Sequence, residues 1–144
     1  MHLKSTDQKE FKFIFFVILI FSLSGCKNDA QINFYNKKLK KNKLKCLKFI
    51  PQKNDKLENA LSKLYKFDKS CPNILTLSYK SDIKCNSRFN TPQKTTSNFP
   101  NAYLTLEVRT GFNPQYSYYI DLTSKPTKSD IEDAFNRLKE DILE

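Results

Sequence analysis

The chain of 144 residues holds one histidine, two glycines and no tryptophan, against 25 Lys+Arg and 15 Asp+Glu for a formal charge of +10. Position sharpens these scarcities. His2 and Gly25 both fall within an N-terminal stretch laid out like a cleaved leader, so the mature chain is expected to carry no imidazole and to have Gly111 as its one glycine. Ser-His-Asp and Cys-His nucleophile pairs, and the usual zinc and haem ligand sets, need an imidazole. Glycine-rich phosphate cradles need several glycines close together, so that backbone amides can approach the anion. No cofactor and no metal are therefore expected.

The leader has three parts. A polar segment with Lys4, Lys9 and Lys12 precedes an apolar run from Phe13 to Leu23, and Ser24-Gly25-Cys26 follow. Eleven apolar residues are too few to cross a bilayer, which takes about 20, so the layout reads as a signal peptide over residues 1–25. The closing Leu23-Ser24-Gly25-Cys26 resembles the lipobox of bacterial membrane lipoproteins. That resemblance covers the leader alone. It implies that the Cys26 thiol receives a diacylglycerol, that cleavage precedes Cys26, and that the new N-terminus is acylated, commonly with palmitate. Two or three acyl chains hold a protein to a membrane far more firmly than one. Lys27, where an Asp favours inner-membrane retention in Gram-negative lipoproteins, points to the outer membrane facing the periplasm; a Gram-positive membrane stays open.

Charge is unevenly spread beyond Cys26. Residues 26–98 hold 17 Lys+Arg and 5 Asp+Glu, whereas residues 99–144 hold 5 and 8. Lys37, Lys38, Lys40, Lys41, Lys43, Lys45 and Lys48 form one run, so residues 26–53 read as a lysine-rich tether. Such a run is either a solvated linker or a contact for anionic lipid, glycan, nucleic acid or protein.

From residue 54 to 144 the pattern is that of a small α+β domain. Leu57, Ala60, Leu61 and Leu64 recur at helical spacing over residues 55–68, with Asn54 or Asp55 as cap and Cys71-Pro72 as terminator. Leu75, Leu77 and Tyr79, then Ile83, Cys85, Ser87 and Phe89, alternate like a hairpin. Residues 90–100 read as a loop. Ala102, Leu104, Leu106 and Val108 alternate again, Gly111 to Gln115 turn the chain, and Tyr116, Tyr118, Ile120 and Leu122 return. Pairing Leu104 with Leu122, Leu106 with Ile120 and Val108 with Tyr118 gives both strands one inner face. Ser129-Asp130-Ile131-Glu132 fits a capping box before a helix over 130–143, with Ile131, Ala134, Phe135, Leu138 and Ile142 as its stripe. Two hairpins and two helices predict a four-stranded antiparallel sheet with an N-terminal and a C-terminal amphipathic helix on one face.

Three cysteines remain for chemistry. Cys46 is expected to form a disulfide with Cys71 or Cys85, since a Cys71–Cys85 bridge is out of reach across the expected hairpin. Cys85, on an apolar face, suits a buried thiol. In the expected register Glu107 and Asp121 are diagonal neighbours, within the separation used by glycoside hydrolases, but Arg109 beside Glu107 favours a surface ion pair over catalysis. Tyr103, Phe112 and Tyr119 fall on the outer face or the turn, where grouped aromatics mark interfaces. The expectation is a non-enzymatic envelope lipoprotein, an anchoring or assembly subunit with an envelope protein as partner. The alternative is a lipoprotein that holds an anionic glycan, lipid or nucleic acid through its lysines.

Overall fold

The computed structural model describes residues 29–83 and 100–144. At its centre is the hairpin of β4 (Ala102–Thr110) and β5 (Asn113–Leu122). Strict alternation buries Ala102, Leu104, Leu106 and Val108 of one strand and Tyr116 and Tyr118 of the other. The strands join through a two-residue turn, Gly111-Phe112, with Thr110 opposite Asn113. Gly111 takes φ +59°, the left-handed value that a glycine adopts without strain in the first central position of such a turn. This tight turn, with a bulge that leaves Gln115 unpaired against β4, moves the register by two residues from expectation. Leu104 pairs with Ile120, Leu106 with Tyr118 and Val108 with Tyr116. A two-residue slip keeps every side chain on its face, so the expected inner face stands while the partners change.

The sheet has five strands and is mixed, not four and antiparallel. Its order is β1-β5-β4-β3-β2, where β1 is Gln31–Phe34, β2 is Lys48–Phe49 and β3 is Asn73–Lys80. β1 pairs antiparallel with β5, and β2 pairs parallel with β3. Both added strands come from the stretch read as a tether. β3 pairs along its length with β4, Leu77 opposite Leu106, while the second strand expected for the first hairpin lies beyond Ile83 outside the described residues. Cys85, Ser87 and Phe89, and the loop from residue 90 to 99, lie outside the described residues.

Helix α1 (Lys56–Leu64) forms the crossover that parallel strands require, running from β2 to β3. Asp55 caps it, accepting hydrogen bonds from the amides of Leu57 and Glu58. It ends four residues before the expected 68. Tyr65 leaves the helix in extended conformation, and its ring and that of Phe67 pack against Phe135 at 6.0 and 6.1 Å. Helix α2 (Lys128–Ile142) starts two residues early, because Thr127 forms the capping box with Asp130 in place of Ser129 with Glu132. Its buried residues are the expected stripe, Ile131, Ala134, Phe135, Leu138 and Ile142. They join Leu61, Leu75, Leu104, Leu106 and Val108 in one core, each such burial contributing about 1.5–3 kcal/mol.

Tyr116, fully buried, donates its hydroxyl to Asp141 of α2 at 2.9 Å, and Arg137 holds the same carboxylate at 3.0 Å. Burial first, and then the bond to Asp141, push the Tyr116 phenol far above the ordinary tyrosine range; burial raises Tyr118 as well. Both groups ionise later in the folded than in the unfolded chain. Their contribution is therefore complete below the unfolded value near pH 10 and is lost as pH rises beyond it, by up to about 1.4 kcal/mol per pH unit for each group. Thermal melts between pH 9 and about 11 should show a steep loss of stability in the native chain and a shallower one in Tyr116→Phe. Equal slopes would contradict this role.

Candidate functional site

The two helices cover one face of the sheet, and among the described residues no helix covers the other, whose side chains are mostly half-buried. Tyr103, Thr105 and Glu107 of β4 and Ser117, Tyr119 and Asp121 of β5 alternate onto this open face. The rings of Tyr103 and Tyr119 stack, centroids 5.8 Å apart and planes 22° apart. Tyr119 donates its hydroxyl to Asp121 at 2.7 Å, and this bond, ahead of slight burial, raises the Tyr119 phenol above its ordinary value. The pair is thus a fixed aromatic surface within a polar face.

The carboxylates do not meet as expected. Glu107 faces Ser117 and Asp121 faces Tyr103, so four residues, about 13 Å, separate them along the strands. The tight turn that shifted the register is the cause. Glu107 accepts a hydrogen bond from Arg109 at 2.8 Å, the ion pair that its position suggested. That spacing exceeds what a glycosidase uses.

Cys46 bridges Cys71, with Cα atoms 6.0 Å apart, which settles the choice left open between Cys71 and Cys85. The parallel register sets it: Lys48 pairs with Ile74, so Cys46 arrives beside residues 71–72. The bridge closes the segment that contains β2 and α1.

The lysine run is built into one end of the domain. Asn36 caps a 3-10 helix, Lys37–Lys40, and bonds through its side chain to Gln115 at 2.8 Å. The Gln115 carbonyl, set free by the bulge, accepts from the amides of Tyr35 and Asn36. Leu39 and Leu47 point into the core, 4% and 0% exposed, and Leu44 bridges to Leu143 at the end of α2. Lys43 donates to the Glu140 carbonyl at 2.8 Å, where the helix dipole favours a cation. Lys40 lies over the Phe34 ring at 4.7 Å. Lys48 sits half-buried in β2. Lys37, Lys38, Lys41 and Lys45 are exposed, and among the described residues no carboxylate lies within 4 Å of them. Phe112, 97% exposed at the hairpin tip, belongs to the same end, three residues from Gln115, and not to the sheet face with Tyr103 and Tyr119.

One buried charge escaped the sequence reading. Glu58, 3% exposed, accepts from the backbone amides of Gln52, Lys53 and Asn54 at 3.0, 2.7 and 2.7 Å. Asn54, at φ +50°, turns the loop so that these amides converge. Its signal was present as Asp55-x-x-Glu58, the spacing of a capping box; here the glutamate clamps the approach to the helix, a structural task.

Among the described residues no group of three or more His, Cys, Asp or Glu side chains is placed to hold a metal. Among them, too, no helix is long and apolar enough to cross a membrane. Cys26 lies outside the described residues. No family model, no curated protein and no solved structure matches the chain.

The disulfide is the covalent tie between the basic end and the body of the domain. Closing a segment with a sequence separation of 25 residues stabilises by about 3 kcal/mol in the chain-entropy account. Cys46→Ser should lower the unfolding free energy in urea by that order, with Lys43 to Lys48 the first region to become accessible to trypsin. Unchanged stability and unchanged cleavage would contradict it.

Proposed function

We propose that the chain is a non-enzymatic lipoprotein of the bacterial envelope, anchored by acyl chains on Cys26 and serving as an anchoring or assembly subunit for another envelope protein. The observation that carries the partner side of this reading is the Tyr103–Tyr119 stack, held by Asp121 on a sheet face that neither helix covers. Tyrosines fixed in this way present contact area with little conformational freedom left to lose on binding. The Cys46–Cys71 disulfide supports a compartment outside the cytoplasm, where such bonds persist. The lipobox at Leu23 to Cys26 supports the anchor, and Lys27 supports the outer membrane facing the periplasm. Glu107, engaged by Arg109 and about 13 Å along the strands from Asp121, speaks against a glycosidase-like carboxylate pair.

A second reading, a lipoprotein that binds an anionic glycan, lipid or nucleic acid, is favoured by Lys37, Lys38, Lys41 and Lys45, which share one fixed end of the domain without acidic partners among the described residues.

The first reading is tested by brief crosslinking in cells, recovery of the tagged protein from membranes, and identification of what accompanies it. One envelope protein in near-stoichiometric amount is expected, and Tyr103→Ala with Tyr119→Ala should reduce it at least about ten-fold, a loss of 1.4 kcal/mol, while leaving the protein folded and in the membrane. Cys26→Ala should release the protein from the membrane. Full recovery of the partner with both tyrosines removed would contradict the assignment of the sheet face.

A further inference from the structure

The end of the domain that carries the lysines also carries the two most exposed aromatic rings among the described residues. Phe112 is 97% and Tyr35 57% exposed. Tyr35 adjoins the turn because its amide donates to the Gln115 carbonyl at 3.0 Å, and Phe112 is three residues further along β5, about 10 Å beyond. The same end carries Lys37, Lys38, Lys41 and Lys45, all exposed. Glu140 and Asp141 in the last turn of α2 and Glu144 just beyond it are acidic residues at this end, three against these four and Lys40 and Lys43, and Asp141 is engaged by Arg137 and Tyr116. An apolar ring at the outermost point, a tyrosine behind it and ammonium groups around them match the layers of an anionic bilayer surface: acyl boundary, headgroups and phosphates.

We propose that this end of the domain docks on an anionic lipid surface, with Phe112 entering the acyl boundary and Lys37, Lys38, Lys41 and Lys45 contacting phosphates. Chain length lets the anchor and this end meet one membrane, a point that rests on the reading of Cys26 as the lipid-bearing residue; the surface itself does not. Gln31 is five Cα steps from Cys26, at most about 18 Å of chain. Gln31 pairs with Tyr119, seven residues or about 23 Å along β5 from Phe112. With Phe112 sunk about 5–10 Å into the interface, Gln31 stands within that reach, so the anchor and the lysine-bearing end can engage one membrane together. The Tyr103–Tyr119 pair, on the open sheet face, stays available to a partner.

The chain has no tryptophan, so Phe112→Trp supplies a single fluorescent reporter at a position that is 97% exposed. The mature protein, purified from membranes, is reconstituted into vesicles of phosphatidylethanolamine with phosphatidylglycerol, or of phosphatidylcholine alone. In the anionic vesicles the emission of the introduced indole should shift to the blue and be quenched by bromine-labelled lipid. In phosphatidylcholine, or in molar salt, it should match the emission of an indole exposed to water. Lys37, Lys38, Lys41 and Lys45 changed to Gln should weaken docking by about five-fold for each lysine lost. Water-like emission in anionic vesicles overturns the proposal, as does quenching that ignores the four substitutions. A blue shift without bromine quenching would mean that copies of the chain pack on one another, and overturns it too. Loss of the anchor has its own signature: a chain left behind when phosphatidylcholine vesicles are floated lacks the lipid, and docking to anionic vesicles is then read from the same reporter.

Discussion

Between Lys37 and Lys48 the chain meets two opposed demands. Seven ammonium groups lose hydration if buried, and three leucines gain stability if removed from water. The conflict is resolved by local geometry. A short 3-10 helix turns Leu39 inward while Lys37, Lys38 and Lys41 stay in solvent. Leu44 docks beside Leu143, and Leu47 is fully buried just before β2. With Cys46 bonded to Cys71, the basic stretch becomes one wall of the domain. Both β1 and β2, and so the mixed character of the sheet, depend on that outcome.

Two surfaces with different chemistry result. The open sheet face is polar and carries one ordered aromatic pair, with its ionic groups engaged internally: Glu107 by Arg109, and Asp121 by Tyr119. The end formed by the lysines, Tyr35 and Phe112 is cationic and has exposed rings. The first suits recognition of a protein, the second a charged layer. Their separation along β4 and β5 allows both to be occupied at once.

How much was legible in the sequence follows from what each element depends on. The inner faces of β4 and β5 and the stripe of α2 are periodic over nine or more residues, and the alternation named their buried side chains correctly. Register was not legible from alternation, since a slip of two residues preserves it; only the two-residue turn at Gly111 distinguishes the alternatives. That slip alone separated Glu107 from Asp121. β1 has four residues and β2 two, too short for periodicity to rise above the surrounding lysines. Their strand character comes from pairing with β5 and β3. The same holds for the disulfide, whose partner is chosen by the parallel register of β2. Tyr65 and Phe67 fall within the expected helix yet leave it, and their rings pack on Phe135. Tyr103 and Tyr119 were legible as outward residues, though not as a stacked pair.

The central claim is that the lysine-rich segment is a fixed wall of the domain and not a solvated linker. Amide hydrogen exchange tests it most directly. The Leu44 amide donates to the Ile142 carbonyl at 2.7 Å, and the Leu39 amide to the Asn36 carbonyl at 3.1 Å. Both should exchange far more slowly than in a free peptide, with Leu44 as protected as the last turn of α2 and with that protection reduced when the disulfide is reduced. Exchange of Leu39 and Leu44 at free-peptide rates, in a chain whose β4 and β5 amides remain protected, would contradict the account.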